Sequence, residues 1–242
     1  MTVIIVNDYE SMSKMAGEII ARQIEHEEDL VLGLATGSTP IGTYKYLIDL
    51  HKAGKLDFSE VTVFNLDEYY PITPDNDQSY NYFMNENLFN HVNIDKKNTH
   101  IQNGEAADPA AECRRYEDAI HDAGGIDLQL LGLGLNGHIG FNEPDSHFPK
   151  TTHHVALDAS TIEANSRFFA SSNDVPKHAL TMGIGTIFNA RKIVMLISGE
   201  AKADIAKAVI HGNITPQVPG SILQLHPDVT IILDEEAAKH VR

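Results

Sequence analysis

Along the 242-residue chain, short β-branched apolar runs alternate with stretches in which apolar side chains recur every three or four positions. The runs are "TVIIV" at the start, then "DLVLGLA", "VTVFNL", "DLQLLGLG", "THHVALD", "RKIVMLIS" and "VTIIL". Such runs suit strands of a sheet covered on both faces, and their alternation with helical pattern predicts βα repeats. The first helical stretch carries Met12, Met15, Ala16, Ile19, Ile20 and Ile24 on one face, as a core-facing helix requires. A later one opens at Asp108 and Pro109 and stops at Gly124 and Gly125: a side-chain cap, a proline whose missing N–H costs nothing there, and then two helix-ending glycines. The pattern predicts an α/β fold, with an open, mainly parallel sheet and helices on both faces. No internal repeat or Pro/Ser-rich linker marks a boundary, so a single domain over residues 1–242 is expected.

Four segments follow predicted strands directly: "ATGSTP", "DEYYPITPDNDQSY", "LNGHIGFNEP" and "GEAKA". Ligands of open α/β sheets collect at the carboxyl ends of strands, so these segments should share one edge. The end of "DLQLLGLG" and the start of the third segment together place Gly132, Gly134 and Gly137 in the G-x-G-x-x-G spacing, with Asp158 further on, which is the arrangement of a dinucleotide-binding turn. That turn works only where a helix begins within it and brings its N–H groups onto the pyrophosphate. Here Gly140 and Pro144 fall within seven positions after Gly137, and Pro144 also disfavours helical geometry at Glu143. The segment is therefore expected to be a loop that displays Asn136, His138 and Glu143. An imidazole whose tautomer is set by a carboxylate can move protons near neutrality.

The "ATGSTP" segment offers backbone N–H groups and hydroxyls at Gly37, Ser38 and Thr39, and Pro40 then opens a helix. This suits a phosphate monoester, although a turn with an ordinary cap has the same residues. Lys202 stands in the first turn of the helix after "LISG", where the dipole disfavours a cation unless an anion is present too. In "VTVFNLDEYYP", Asp67 and Glu68 end a strand and project to opposite sides. One of them can face a ligand as a proton shuttle while the other enters the supporting structure, or the pair can serve only to cap a neighbouring helix.

Charge narrows the partners. With 18 basic and 34 acidic side chains the net charge is −16, which argues against binding nucleic acid or an anionic membrane. The single Cys113 has no partner for a disulfide, "MTVIIVNDYE" is too short a run for a signal peptide, and no apolar stretch is long enough to span a bilayer; a cytoplasmic location is expected. His153 and His154 are neighbours on a predicted strand and point apart, and no H-E-x-x-H or G-x-S-x-G motif occurs. Proton-transfer chemistry without metal or cofactor is therefore expected.

The stretches "GLATGSTPIGTY", "VTVFNLDEYY", "SYNYFMNENLF", "GLGLNGHIGFNEP", "ANSRFF" and "LQLHPDVTIILD" together resemble the glucosamine-6-phosphate deaminase (isomerase) family. The resemblance implies a three-layer, modified Rossmann-like fold shared with ribose-5-phosphate isomerase-like and CoA-transferase-like proteins. It implies conversion of glucosamine 6-phosphate and water to fructose 6-phosphate and ammonium. It also implies Asp67 as proton acceptor in enolisation, His138 as ring-opening base with Glu143 as its partner, and Gly37, Ser38, Thr39, Arg167 and Lys202 around the phosphate. Many members carry Asp where this chain has Asn136, so the part of Asn136 in ring opening is expected to be positional. The end "DEEAAKHVR" is similar to the shorter branch without the hexamer's longer tail, which implies a monomer or small homo-oligomer. Related alternatives are a 6-phosphogluconolactonase, whose glycine loop does not continue as "IGFNEP", and a sugar-phosphate sensor, for which no DNA-binding segment is left over.

Overall fold

The computed structural model describes residues 1–166, 169, 171 and 174–241. The chain runs β1 (Thr2–Val6), α1 (Tyr9–His26), β2 (Val31–Leu34), α2 (Ile41–Lys52), β3 (Thr62–Asn65), β4 (Asp67–Tyr70), α3 (Tyr80–Asn87), β5 (Thr99–His100), α4 (Pro109–Asp122) and β6 (Leu128–Gly132). It continues through β7 (His153–Ala156), α5 (Ala159–Asn165), β8 (His178–Thr181), α6 (Ile184–Phe188), β9 (Lys192–Ile197), α7 (Ala203–His211) and β10 (Val229–Asp234). Seven strands form one sheet in the order β1-β10-β9-β6-β2-β3-β5, and every neighbouring pair in it is parallel.

Alternate residues of each strand pack into opposite layers. Leu32, Leu34, Leu128, Leu130, Val194 and Leu196 join α1, α2 and α3 on one face. On the other face Val31, Leu131, Ile193, Met195 and Ile197 join α4, α6 and α7. This is the sheet covered on both sides that the continuous apolar runs predict. The helix ends also follow local chemistry. Asp108 caps α4 by accepting from Ala110 and Ala111 N–H, and Gly124 and Gly125 leave the helix at φ +84° and +90°, where a Cβ is disfavoured.

Two expectations need correction. "THHVALD" forms β7, which lies outside the parallel sheet in a second sheet, β4-β8-β7, antiparallel throughout. Asp67 and Glu68 do not end β3; they begin β4, because the chain turns at Leu66 from the large sheet into the small one. Leu66 N–H still bonds Leu34 O of β2 while its carbonyl accepts from Met182 N–H after β8, so one residue is shared by both hydrogen-bond systems.

The parallel neighbours β9, β6, β2 and β3 end on one edge, where the glycine loop, the "ATGSTP" turn, Asp67 and Lys202 gather. Among the described residues no helix is long and apolar enough to cross a membrane.

Candidate active site

After β6 the chain forms turns and isolated bridges up to Lys150, with no helix. Gly137 stands at φ +88° and Gly140 at φ +57°, conformations glycine adopts without strain. Gly134 has a different task. A Cβ there would lie 2.3 Å from Cδ2 and Nε2 of His138, so the imidazole sits directly over this glycine. The spacing that imitates a nucleotide turn thus makes room for a side chain. Gly134→Ala is expected to push the ring aside and lower turnover roughly 10²-fold, with the circular dichroism of the parent retained. Unchanged kcat would show that the ring position does not matter.

His138 is held by a small network. Its Nδ1 lies 3.1 Å from Glu143 Oε2, and its backbone N–H donates to Asn136 Oδ1 at 3.2 Å. Asn136 Nδ2 donates to the same Glu143 oxygen at 2.6 Å, while Thr161 Oγ1 of α5 donates to the other at 2.6 Å. Burial pushes the Glu143 carboxyl up, but the bonds from His138, Thr161 and Asn136 outweigh it and hold the group below the usual glutamate value. An ionised carboxylate only accepts, so it selects the proton on Nδ1 and leaves Nε2 as a base. Asn136 contributes an N–H donor that an aspartate lacks.

Asp67 and Glu68 divide as neighbouring strand residues must. Glu68 turns into the structure and accepts from the N–H groups of Tyr69, Tyr80 and Asn81 at 2.8–2.9 Å, closing the first turn of α3. Burial nevertheless raises its carboxyl to about 7. Asp67 faces the glycine loop. It pairs with Thr181 across β4 and β8, and the Thr181 hydroxyl accepts Phe141 N–H at 3.0 Å. A Cβ on Gly140 would stand 3.4 Å from Asp67 Oδ2, so the His138 loop passes close to this carboxylate. Burial first, and the charge of Glu68 second, raise the Asp67 carboxyl well above the usual aspartate range, as suits a general base.

The "ATGSTP" turn follows β2, with Gly37 at φ +85° and Ser38 exposed, and α2 begins at Ile41. Lys202 is the N-cap of α7, and its Nζ donates to Leu133 O at the start of the glycine loop. That contact ties the β9 turn to the β6 loop. Arg167 lies outside the described residues. Asp158 caps α5 by accepting from Ser160 N–H at 2.8 Å, which accounts for the carboxylate that follows the glycine spacing.

Two further contributors, Thr161 and Asp234, join the site. Thr161 reaches Glu143 only because α5 folds back over the loop, and nothing in "DASTIEAN" marks it. Asp234, at the end of β10, accepts from Ser198 Oγ at 2.5 Å and from the N–H groups of Gly199 and Ala237 at 2.8–3.1 Å. It pins the turn before Lys202. An aspartate closing an apolar strand was the available signal.

His138, Glu143 and Asp67 are groups that can transfer protons, and they lie on the edge where the strand-end turns gather. Residues 9–232 match the family described as glucosamine-6-phosphate isomerases/6-phosphogluconolactonase. The glucosamine-6-phosphate deaminase of Thermoanaerobacter pseudethanolicus is 58% identical over 238 residues, covering 98% of this chain and 94% of that protein. The solved structure of a monomeric glucosamine-6-phosphate deaminase is 47% identical with a TM-score of 0.97, covering 99% of this chain and 100% of that one. A 6-phosphogluconolactonase from Leishmania guyanensis, 22% identical with a TM-score of 0.77 over 100% of this chain and 98% of its own, shares the fold. The loop geometry and the match along nearly the whole sequence lead to one assignment: this chain belongs to the glucosamine-6-phosphate isomerase/6-phosphogluconolactonase family.

Proposed function

We propose that this chain is a glucosamine-6-phosphate deaminase, converting glucosamine 6-phosphate and water to fructose 6-phosphate and ammonium. The observation that carries the reading is the approach of the His138 loop to Asp67, whose carboxylate stands 3.4 Å from where a Gly140 Cβ would be. A ring-opening base and an enolisation base are thereby offered to neighbouring atoms of one sugar. Identity of 58% to a deaminase, against 22% to a lactonase that shares the fold, favours this activity over lactone hydrolysis.

In this mechanism His138 Nε2 takes the anomeric hydroxyl proton and returns it to the ring oxygen, opening the pyranose to the aldehyde. Glu143 steadies the transient imidazolium. Asp67 then removes the C2 proton while one proton of the substrate's own ammonium group passes to the C1 oxygen, leaving a neutral enolamine, and delivers the C2 proton to C1 to give the protonated C2 imine. Water adds to the resulting C2 imine and ammonia leaves as ammonium. The phosphate rests on Gly37, Ser38 and Thr39 with Lys202 and Arg167. The chain acts as one unit over residues 1–242, as a monomer or small homo-oligomer in the cytoplasm; the monomeric relative supports the first point and the lone, buried Cys113 the second.

The deciding experiment supplies glucosamine 6-phosphate and, separately, 6-phosphogluconolactone, and measures ammonium, fructose 6-phosphate and acid release. Ammonium and fructose 6-phosphate in equal amounts are expected. Acid release from the lactone without deamination would replace the reading with the lactonase, and tight binding without turnover would replace it with a sensor.

A further inference from the structure

α2 begins without a cap of its own, since Pro40 stands at its N-cap and no side-chain acceptor reaches the first turn from that position. First-turn N–H groups need partners from elsewhere, and one partner comes from α1. The Tyr9 hydroxyl accepts Gly42 N–H at 2.9 Å and donates to Ser38 O at 3.1 Å. A single oxygen therefore ties the turn to the helix that follows it.

The two helices touch where Gly42 permits it: a Cβ at Gly42 would meet Ser13 Oγ at 2.3 Å and Tyr9 Cε1 at 3.1 Å. Tyr9 itself remains 38% exposed, so its ring is only partly buried and its hydroxyl makes the specific contact. The consequence for the turn follows from peptide geometry. In a planar trans peptide the carbonyl and the next N–H point in opposite directions. Drawing Ser38 O toward α1 turns Thr39 N–H away from α1, and it keeps a carbonyl dipole from facing an anion held in the turn.

We propose that Tyr9 is a positioning residue for the substrate phosphate, acting through the Ser38–Thr39 peptide and the Gly42 N–H. The inference rests on the assignment of Gly37, Ser38, Thr39 and Lys202 to the phosphate. Tyr9→Phe removes one oxygen and keeps the ring against Gly42, which makes it the direct test, with Lys202→Ala as companion. For each full-length protein, KM and kcat for glucosamine 6-phosphate, Ki for inorganic phosphate and Tm are measured.

In Tyr9→Phe, KM and Ki are expected to rise together by about three- to tenfold, the loss of one or two ordinary hydrogen bonds, with kcat within about twofold and Tm near the parent's. In Lys202→Ala the same two constants should rise further. If Lys202→Ala raises both while Tyr9→Phe changes neither, the role of Tyr9 is overturned and the phosphate site stands. If Lys202→Ala also leaves Ki unchanged, the phosphate assignment itself falls. A Tyr9→Phe variant that loses Tm or kcat with KM and Ki intact assigns Tyr9 to packing and overturns the proposal.

Discussion

Asp67→Asn is expected to yield a protein that is more stable than the parent and nearly inactive. Asparagine keeps the shape of the side chain but cannot accept the C2 proton, and losing a positioned general base costs about 10²–10⁴-fold in kcat. The gain in stability comes from the same burial that makes Asp67 a strong base. Its carboxyl is raised well above the usual aspartate range, by desolvation first and by Glu68 second. A raised folded-state pKa contributes stability fully only below the unfolded value of about 3.9, and loses it as pH rises through the folded value. At neutral pH the parent therefore carries a destabilising tendency that the variant lacks. Melting curves of both proteins at acidic and mildly alkaline pH check this: the variant's advantage in Tm should widen as pH rises. An advantage that is constant or reversed would refute the desolvation argument, and retained turnover would remove Asp67 from the chemistry.

Glu143→Gln is expected to show the opposite pH sign for stability together with a comparable loss of rate. Both Glu143 oxygens accept, one from His138 and Asn136 and the other from Thr161. A glutamine amide must turn its NH₂ toward one of these donors, which frees the imidazole from its tautomer and orientation. A fall in kcat of roughly 10²–10⁴-fold follows. The Glu143 carboxyl is pushed up by burial but held lower overall by its donors. Its stabilisation is therefore present above the unfolded value of about 4.3 and disappears as pH falls through the folded one. The variant should melt below the parent at neutral pH, with the gap closing in acid. A Tm deficit that persists unchanged at low pH would mean that Glu143 acts by packing rather than by charge. Two carboxylates in one site, moved in opposite directions by their surroundings, are suited to different proton-transfer tasks.

Much of this arrangement was legible in residue order. The doubly apolar runs of β2, β6, β9 and β10 announced a sheet covered on both faces, and parallel strands place their following loops on one edge whatever the details of packing. Gly140 and Pro144 ruled out a helix after the glycine spacing, and the chain has none there. The small sheet was less legible. In β7, half-buried and exposed positions alternate at every residue, with His153 partly buried and His154 exposed, and two adjacent imidazoles already argue against a strand buried on both faces. The origin of β4 gave no such signal, because the turn at Leu66 depends on hydrogen-bond partners at Leu34 and Met182, far away in the chain.

Residue order alone sets the βα succession, the edge on which chemistry collects and the set of groups available there, because these follow from local periodicity and from what each side chain can donate or accept. The choice between Asp67 and Glu68 came from packing. Three backbone N–H groups converge on Glu68, whereas Asp67 is left beside Gly140 and the His138 loop. Packing also decided that Asn136 and Thr161 both turn their donors onto Glu143. The physical reason is the same in each case: a polar group's partner is chosen by proximity in space, and that is set by how the two sheets and their helices close around one edge.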